Sequence, residues 1–326
     1  MPTAVAKDLL SSKQEKIKQV LYNEVYGVMP DCPVHLGAET VCEDIGFAAG
    51  KAVLRHKNLI TDIGDKELRI PFSEVIPNGK SNCPAIIYLC FEDEVPNKYL
   101  PAEEISDRGY AIFSLNLKRV SENDGNFKSG VCADIARSRR KKNAPGKLML
   151  WAWAAIRLME YVASVESIDG KSIAVAGHGL PGKAALIAGA LDGRFSFTIA
   201  NDAAAFGVGA NSDYGKLSLI MPHLFCPAFT EGNFEGCEQA MLLSLCAPRS
   251  VLVGCAADDP RSAPELEYEA IKEASLFYPN TVLQKEIPTA NTLVQTGSIS
   301  YHLRGGMHYF SREDWKIYLD FIDKNR

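Results

Sequence analysis

The chain has 326 residues, 47% hydrophobic and 23% charged, enough for one large α/β domain or two small ones around a sizeable core. Thirty-five basic against forty acidic side chains give a net charge of −5, which offers no footprint for nucleic acid or an anionic membrane surface. Nine cysteines, an odd number without CxxC spacing, argue against a disulfide framework or a zinc site.

The first ten residues, MPTAVAKDLL, carry Asp8 and no apolar run, so no secretory signal is expected and a reducing, cytoplasmic setting fits. No stretch approaches the roughly 20 apolar residues needed to span a bilayer. KDLLSSKQEKIKQVLY, residues 7–22, has helical spacing and many charges, which predicts a surface helix. Residues 1–30 are accordingly read as a helical N-terminal extension and residues 31–326 as a single α/β domain. LRIPFSEVIP runs into the turn signal Pro77-Asn78-Gly79, and PAIIYLCF then reads as a buried strand. YAIFSLNL comes next as another strand. Arg137, Arg139, Arg140, Lys141 and Lys142, beside Asn143 and Pro145, read as a solvated loop, with an acidic ligand as the sharper option. LMLWAWAAIRLMEYVASV is apolar nearly all round and predicts a buried crossover helix. SIAVAG, FTIAND and SVLVGCAA are further strands, and Cys90, Cys246 and Cys255 sit in such apolar runs as small hydrophobes. The closing SREDWKIYLDFIDKNR opens with a capping-box pattern, Ser311 and Asp314, ahead of an apolar stripe. Strands alternating with helices predict a mostly parallel sheet covered by helices on both faces.

One stretch, VAGHGLPGKAA at 175–185, supports three readings. Gly177, Gly182 and Lys183 fit a phosphate loop, but Ala184 stands where a Ser or Thr would ligate magnesium and Pro181 removes a cradling N–H. Gly177, Gly179 and Gly182 fit a dinucleotide turn, with Asp202 twenty residues beyond Gly182 as the ribose carboxylate. The third reading is a hydrolase nucleophile elbow without its nucleophile. It gains from the order of the residues downstream: Asp258 and Asp259 after a strand, then His308 in a glycine-flanked loop before the last helix.

The stretches LWAWAAIRLMEYV and IDGKSIAVAGHGLPGKAALIAGALDGRFSFTIAND, with PHLFC, MLLSLCAPRSVLVGCAADDP and GGMHYFSREDW, resemble the bacterial acetyl xylan esterases and glucuronoyl esterases. The resemblance covers nearly the whole chain beyond residue 23 and implies a three-layer α/β-hydrolase fold. In those esterases the elbow reads Gly-His-Ser-Arg-Gly-Gly-Lys or close to it. Here Gly179 occupies the serine position, Leu180 the arginine position and Pro181 that of the next glycine. Gly179 has no side chain with which to form an acyl intermediate. Leu180 retains only a backbone N–H for an oxyanion, and the acids of FEDEVPN, 91–97, are expected to repel one.

The resemblance also implies His308 as base, Asp259 or Asp258 as its acid, Asp202 as a second acid position, and Lys183 facing a sugar hydroxyl. The bland alternatives are a purely structural Asp–His pair, a solvated Lys183, a His178 that packs beside the turn and a His223 that holds a loop. His35, His56 and His302 show no ligand spacing, and Trp151 and Trp153 read as core. Three functional classes stay open: a catalytically silent carbohydrate-esterase relative that keeps a carbohydrate- or ester-binding cleft, a hydrolase in which His308 and an aspartate activate water or in which a nucleophile comes from elsewhere, and a nucleotide binder. The first two need no cofactor and no metal, and their partner is a small-molecule or carbohydrate ligand.

Overall fold

Elements alternate along the chain as hydrophobic periodicity dictates, and the order of the strands decides where they meet. The computed structural model describes residues 4–31, 36–63, 66–135, 140–203, 221–231, 234, 236–259 and 263–326. Arg137, Arg139, Cys32 and His35 lie outside the described residues; Arg140, Lys141 and Lys142 are exposed, as a solvated loop requires.

Helix α1 (Ala4–Val20) continues into a π-helical turn, Leu21–Val25. Strands β1 (Leu36–Asp44), β2 (Ala52–Ile63) and β3 (Lys66–Pro77) form an antiparallel meander, of which the sequence pattern marks only the part from residue 68 onward. Next come β4 (Cys83–Cys90), α2 (Ala102–Asp107), β5 (Ala111–Asn116), α3 (Lys147–Ser164), β6 (Ile168–His178) and α4 (Leu180–Leu191). The chain continues through β7 (Phe197–Asn201), α5 (Glu238–Cys246), β8 (Ser250–Ala256), α6 (Pro264–Ala274), β9 (Thr292–Thr296), β10 (Ile299–Arg304) and α7 (Arg312–Asn325).

Among the described residues these strands make one ten-stranded sheet in the order β1-β2-β3-β5-β4-β6-β7-β8-β10-β9. The central run from β5 to β10 is parallel, and the edges are antiparallel. β4 is buried along its whole length, the mark of a strand covered on both faces. One apolar cluster, built around α3 and α4, covers one face, and a second, with Trp315, Tyr318 and Phe310, covers the other. This is the α/β-hydrolase architecture. The expected capping box is present: Ser311 accepts from the Asp314 N–H and the Asp314 carboxylate accepts from the Ser311 N–H. Helix α3 is buried on nearly every side, with both Trp151 and Trp153 at 0% exposure.

The N-terminal segment is anchored to the body. Gln14 donates to the Ser244 and Ala247 carbonyls at 2.8 and 3.0 Å, and Tyr26 is buried against Phe225. No described helix is long and apolar enough to cross a membrane.

Candidate functional site

In a parallel sheet the carboxyl ends of neighbouring strands meet at one rim, so the loops after β6, β7, β8 and β10 converge there. The turn 177–182 joins β6 to α4 at that rim. Gly179 adopts φ 67°, ψ −130°, a conformation that only glycine takes without strain. Two flanking glycines are needed for another reason. A Cβ on Gly177 would stand 2.4 Å from the Pro181 carbonyl oxygen, and one on Gly182 would stand 2.9 Å from that of Gly177. Strand and helix approach too closely for any side chain there. Pro181 occupies the first turn of α4, where its missing N–H costs nothing.

A Cβ on Gly179 would instead face open contact, 3.4 Å from His308 Nε2 and 3.6 Å from Cε1. The imidazole therefore looks at the one position of the turn that can accept a side chain and has none. On its other side, His308 Nδ1 lies 3.3 Å from Asp202 Oδ2 and 3.3 Å from Asp259 Oδ2. Both carboxylates are at the bottom of the site, and both acid positions named from the resemblance converge on one ring nitrogen. Asp202 is fixed by its own backbone. Its N–H donates to the Gly254 carbonyl at 2.7 Å, and its Oδ1 accepts from the Ala256 N–H at 2.6 Å. Its φ of 46° turns the chain sharply at the end of β7.

Asp258 does different work. Its Oδ2 accepts from the Gly306 N–H at 2.6 Å, and its N–H donates to the Gly306 carbonyl at 3.0 Å. It holds the loop that carries His308 and does not reach the imidazole. Arg304, unflagged in the sequence, completes that loop. It donates to the carbonyls of Gly305, Met307 and Tyr309 at 2.8–2.9 Å, and lies 3.6 Å from Asp202 and 3.2 Å from Asp314.

His178 packs beside the turn as expected. Its ring lies 4.2 Å from that of His308 and 5.7 Å from Phe310, and Nδ1 donates to Asn201 Oδ1 at 2.6 Å. Asn201 is held in that orientation because its amide donates to the Tyr318 hydroxyl. Burial and the neighbouring His308 lower the His178 pKa to about 4, so it is neutral at physiological pH. His178, Asp202 and His308 have ligand atoms within 4.8 Å of one another, the one such cluster among the described residues. Their contacts within the protein are His178 Nδ1 to Asn201 at 2.6 Å and His308 Nδ1 to Asp202 and Asp259 at 3.3 Å.

Lys183 corrects an expectation. It is neither solvated nor free for phosphate: fully buried, its ammonium donates to Glu238 at 2.9 Å and to Gln239. The Tyr26 hydroxyl donates to the same Glu238. Burial pushes Glu238 upward from the usual carboxylate range, and Lys183 and Tyr26 pull it part of the way back. This ties the N-terminal segment to the elbow helix through side chains 212 and 55 residues from Glu238. No local pattern in the sequence marks such a network. With its lysine committed and Asp202 turned to His308, the turn loses the groups that a phosphate or dinucleotide site would use.

Leu180 is buried, and its N–H heads α4 without an intrahelical partner. In the 91–97 loop, Asp93 turns aside to Arg119 and Asn116, so the acids of that loop are not all directed at the elbow. Of the other histidines, His223 accepts or donates at 2.9 Å with Asn123, His56 pairs with Ser73 at 2.9 Å, and buried His302 lies 3.4 Å from Asp314. Each has a structural partner.

With this geometry established, comparisons place the chain among known proteins. A family model described as fungal glucuronyl esterase matches residues 62–213. A carbohydrate esterase, MZ0003, from an unknown prokaryotic organism is 32% identical over 238 residues, covering 68% of this chain and 55% of that protein. A 4-O-methyl-glucuronoyl methylesterase of Neurospora crassa is 40% identical over 129 residues, covering 34% of this chain and 33% of that protein. The chain thus spans about half the length, or less, of these curated relatives. Among solved structures, a glucuronoyl esterase from Solibacter usitatus superposes with a TM-score of 0.87 at 23% identity, over 98% of this chain and 93% of that one. A promiscuous esterase of carbohydrate esterase family 15, from a marine bacterial metagenome, gives 0.85 at 24% identity, over 98% and 93%. The chain belongs to the carbohydrate esterase family of the glucuronoyl esterases and shares their α/β-hydrolase fold.

Proposed function

We propose that the chain keeps a cleft for a carbohydrate ester or uronic acid and does not form an acyl-enzyme at its elbow. The observation that carries this reading is Gly179: the turn presents its one accessible Cβ position to His308 Nε2, and the residue there is glycine. Acyl transfer by this route needs an oxygen or sulfur nucleophile beside the base. One relative of this fold was solved with methyl 4-O-methyl-β-D-glucopyranuronate, which sets the ligand class to test. In the present chain Lys183, on the first turn of α4, is buried against Glu238 and Gln239 of α5, so the groups left to meet such a ligand are those around His308. A cytoplasmic setting belongs to the same proposal and rests on the amino-acid sequence.

The test is calorimetric titration with methyl 4-O-methyl-glucuronate, alongside assays for ester turnover and for labelling by a fluorophosphonate probe. Binding without turnover or labelling is expected. Covalent labelling of the wild-type protein would overturn the reading.

A second reading is favoured by one specific observation: His308 has two carboxylates 3.3 Å from Nδ1 and an open position before Nε2. A water in that position is placed for deprotonation by the imidazole and direct attack on an ester carbonyl. Turnover without labelling, abolished by His308→Ala, would select this second reading.

A further inference from the structure

Five groups form a chain that runs from the imidazole at the elbow into the body of the protein. His308 Nδ1 lies 3.3 Å from Asp202 Oδ2, which lies 3.6 Å from a terminal nitrogen of Arg304. Arg304 Nε lies 3.2 Å from Asp314 Oδ2, and Asp314 Oδ1 lies 3.4 Å from His302 Nδ1. One guanidinium thus stands between two carboxylates, with an imidazole at each end. Both carboxylates and His302 are buried, Arg304 is nearly so, and His308 is partly exposed. The chain joins the ends of β7 and β10 to the first turn of α7, where Asp314 also forms the capping box.

Each charged group of the chain is anchored by other bonds. Asp202 Oδ1 accepts from the Ala256 N–H, and Asp314 Oδ2 accepts from the Ser311 hydroxyl at 2.7 Å and N–H at 2.8 Å. Arg304 gives its terminal nitrogens to the carbonyls of Gly305, Met307 and Tyr309, and so grips the backbone on both sides of His308. The links between these groups are of another kind. His308 Nδ1, Asp202 Oδ2, Arg304 Nε, Asp314 Oδ1 and His302 Nδ1 are buried atoms without a well-formed hydrogen bond. Attraction of charge over 3.2–3.6 Å therefore couples them, and burial screens it far less than water does. Burial by itself would raise the Asp314 pKa, yet His302, Ser311 and Arg304 together hold it below the usual carboxylate range. Asp314 is thus a charged competitor of Asp202 for the same guanidinium.

We propose that Arg304 is a positioning residue for His308: it fixes the backbone on either side of the imidazole and, shared between Asp202 and Asp314, sets how much negative charge Asp202 presents to Nδ1. Asp314 and His302 then act on the elbow from the N-terminus of α7 without touching a ligand. The inference rests on the reading that His308 faces the ligand cleft. Among the described residues, the other titratable groups against the imidazole are Asp259, 3.3 Å from Nδ1, and His178, with ring centroids 4.2 Å apart. Glu267 of α6 and Tyr318 of α7 also act on Asp202. All four are left in place by the substitutions that test the proposal.

The experiment follows the His308 ring protons by NMR across pH in the full chain without ligand, with His308→Gln to assign the resonance. Arg304→Gln leaves Asp202 unopposed and should raise the titration midpoint by about half a pH unit or more. Asp314→Asn removes the competitor, gives Asp202 a larger share of the guanidinium, and should lower the midpoint. Arg304→Lys keeps the charge without the fork and should lie nearer to wild type than Arg304→Gln. A purely structural Arg304 would not move the midpoint in opposed directions. Unchanged midpoints, shifts of one sign in Arg304→Gln and Asp314→Asn, or an Arg304→Lys midpoint displaced as far as that of Arg304→Gln would each overturn the proposal. Circular dichroism reports the fold, and Asp314→Asn with Arg304→Lys keeps the test decisive should Arg304→Gln unfold. Titration of the wild type with methyl 4-O-methyl-glucuronate judges the cleft separately, because the midpoints are read without ligand.

Discussion

Placing a serine at position 179 is the sharpest perturbation the geometry offers. In Gly179→Ser the new Cβ stands 3.4 Å from His308 Nε2, ordinary van der Waals contact, so the side chain itself meets no obstruction. The cost lies in the backbone. A non-glycine residue at φ 67°, ψ −130° carries about 1–3 kcal/mol of strain. With an unfolding entropy of about 2.1 cal/mol/K per residue, a fold of this size should lose about 1.5–4.5 °C in Tm. In return the Oγ, one bond beyond Cβ, comes within hydrogen-bond reach of an imidazole that already has carboxylates 3.3 Å from its far nitrogen. Thermal denaturation and fluorophosphonate labelling measure the two effects together. The expected result is a modestly destabilised protein that labels at residue 179, with labelling lost in the Gly179→Ser, His308→Ala double variant. A Gly179→Ser protein as stable as wild type and inert to the probe would refute the placement of this position, because both strain and proximity to His308 would then be absent.

Three further outcomes rest on the buried charges. Lys183→Met leaves Glu238 without its ammonium partner in a site of 0% exposure, and should cost about 3–5 kcal/mol by urea unfolding, with Lys183→Met, Glu238→Gln recovering part of it. Burial raises Glu267 to about 8, above its unfolded value near 4.3, so its contribution is full below that unfolded value and is lost as pH rises toward 8. Glu267→Gln should flatten stability between pH 5 and 8; an unchanged pH profile would show that this carboxyl is ionised in the fold. His178, lowered to about 4, contributes stability above pH 6.5 that is lost as pH falls through 4. Its ring protons should show no titration by NMR above about pH 5, and a midpoint near 6.5 would contradict its burial against His308.

The parallel core was legible because its signals are local. Apolar runs such as PAIIYLCF and the all-round apolar helix at 147–164 declare themselves in any window of their length. The antiparallel meander at 36–77 was mostly missed, since β1 is exposed along much of its length and alternates weakly. The elbow was readable too, because Gly177, Gly179 and Gly182 are dictated by a single turn. Its partners were readable only as candidates. Asp202, Asp258 and Asp259 are chemically alike in a sequence, and nothing in their spacing tells which carboxylate a distant imidazole will meet.

By itself, then, the sequence determined the layered α/β fold and the glycine turn with Gly179 at its centre, both of which depend on neighbours along the chain. Tertiary structure alone decided the rest. The convergence of strand ends brought two aspartates to Nδ1 of His308 and sent Asp258 to a backbone amide. Burial turned Lys183 from a solvated or phosphate-facing cation into the partner of Glu238. Strand register lined up His56, Ser73 and Ser114 from segments that share no local motif. Charge pairing and pocket formation depend on distances across the fold, and those distances exist only once the sheet has closed its order.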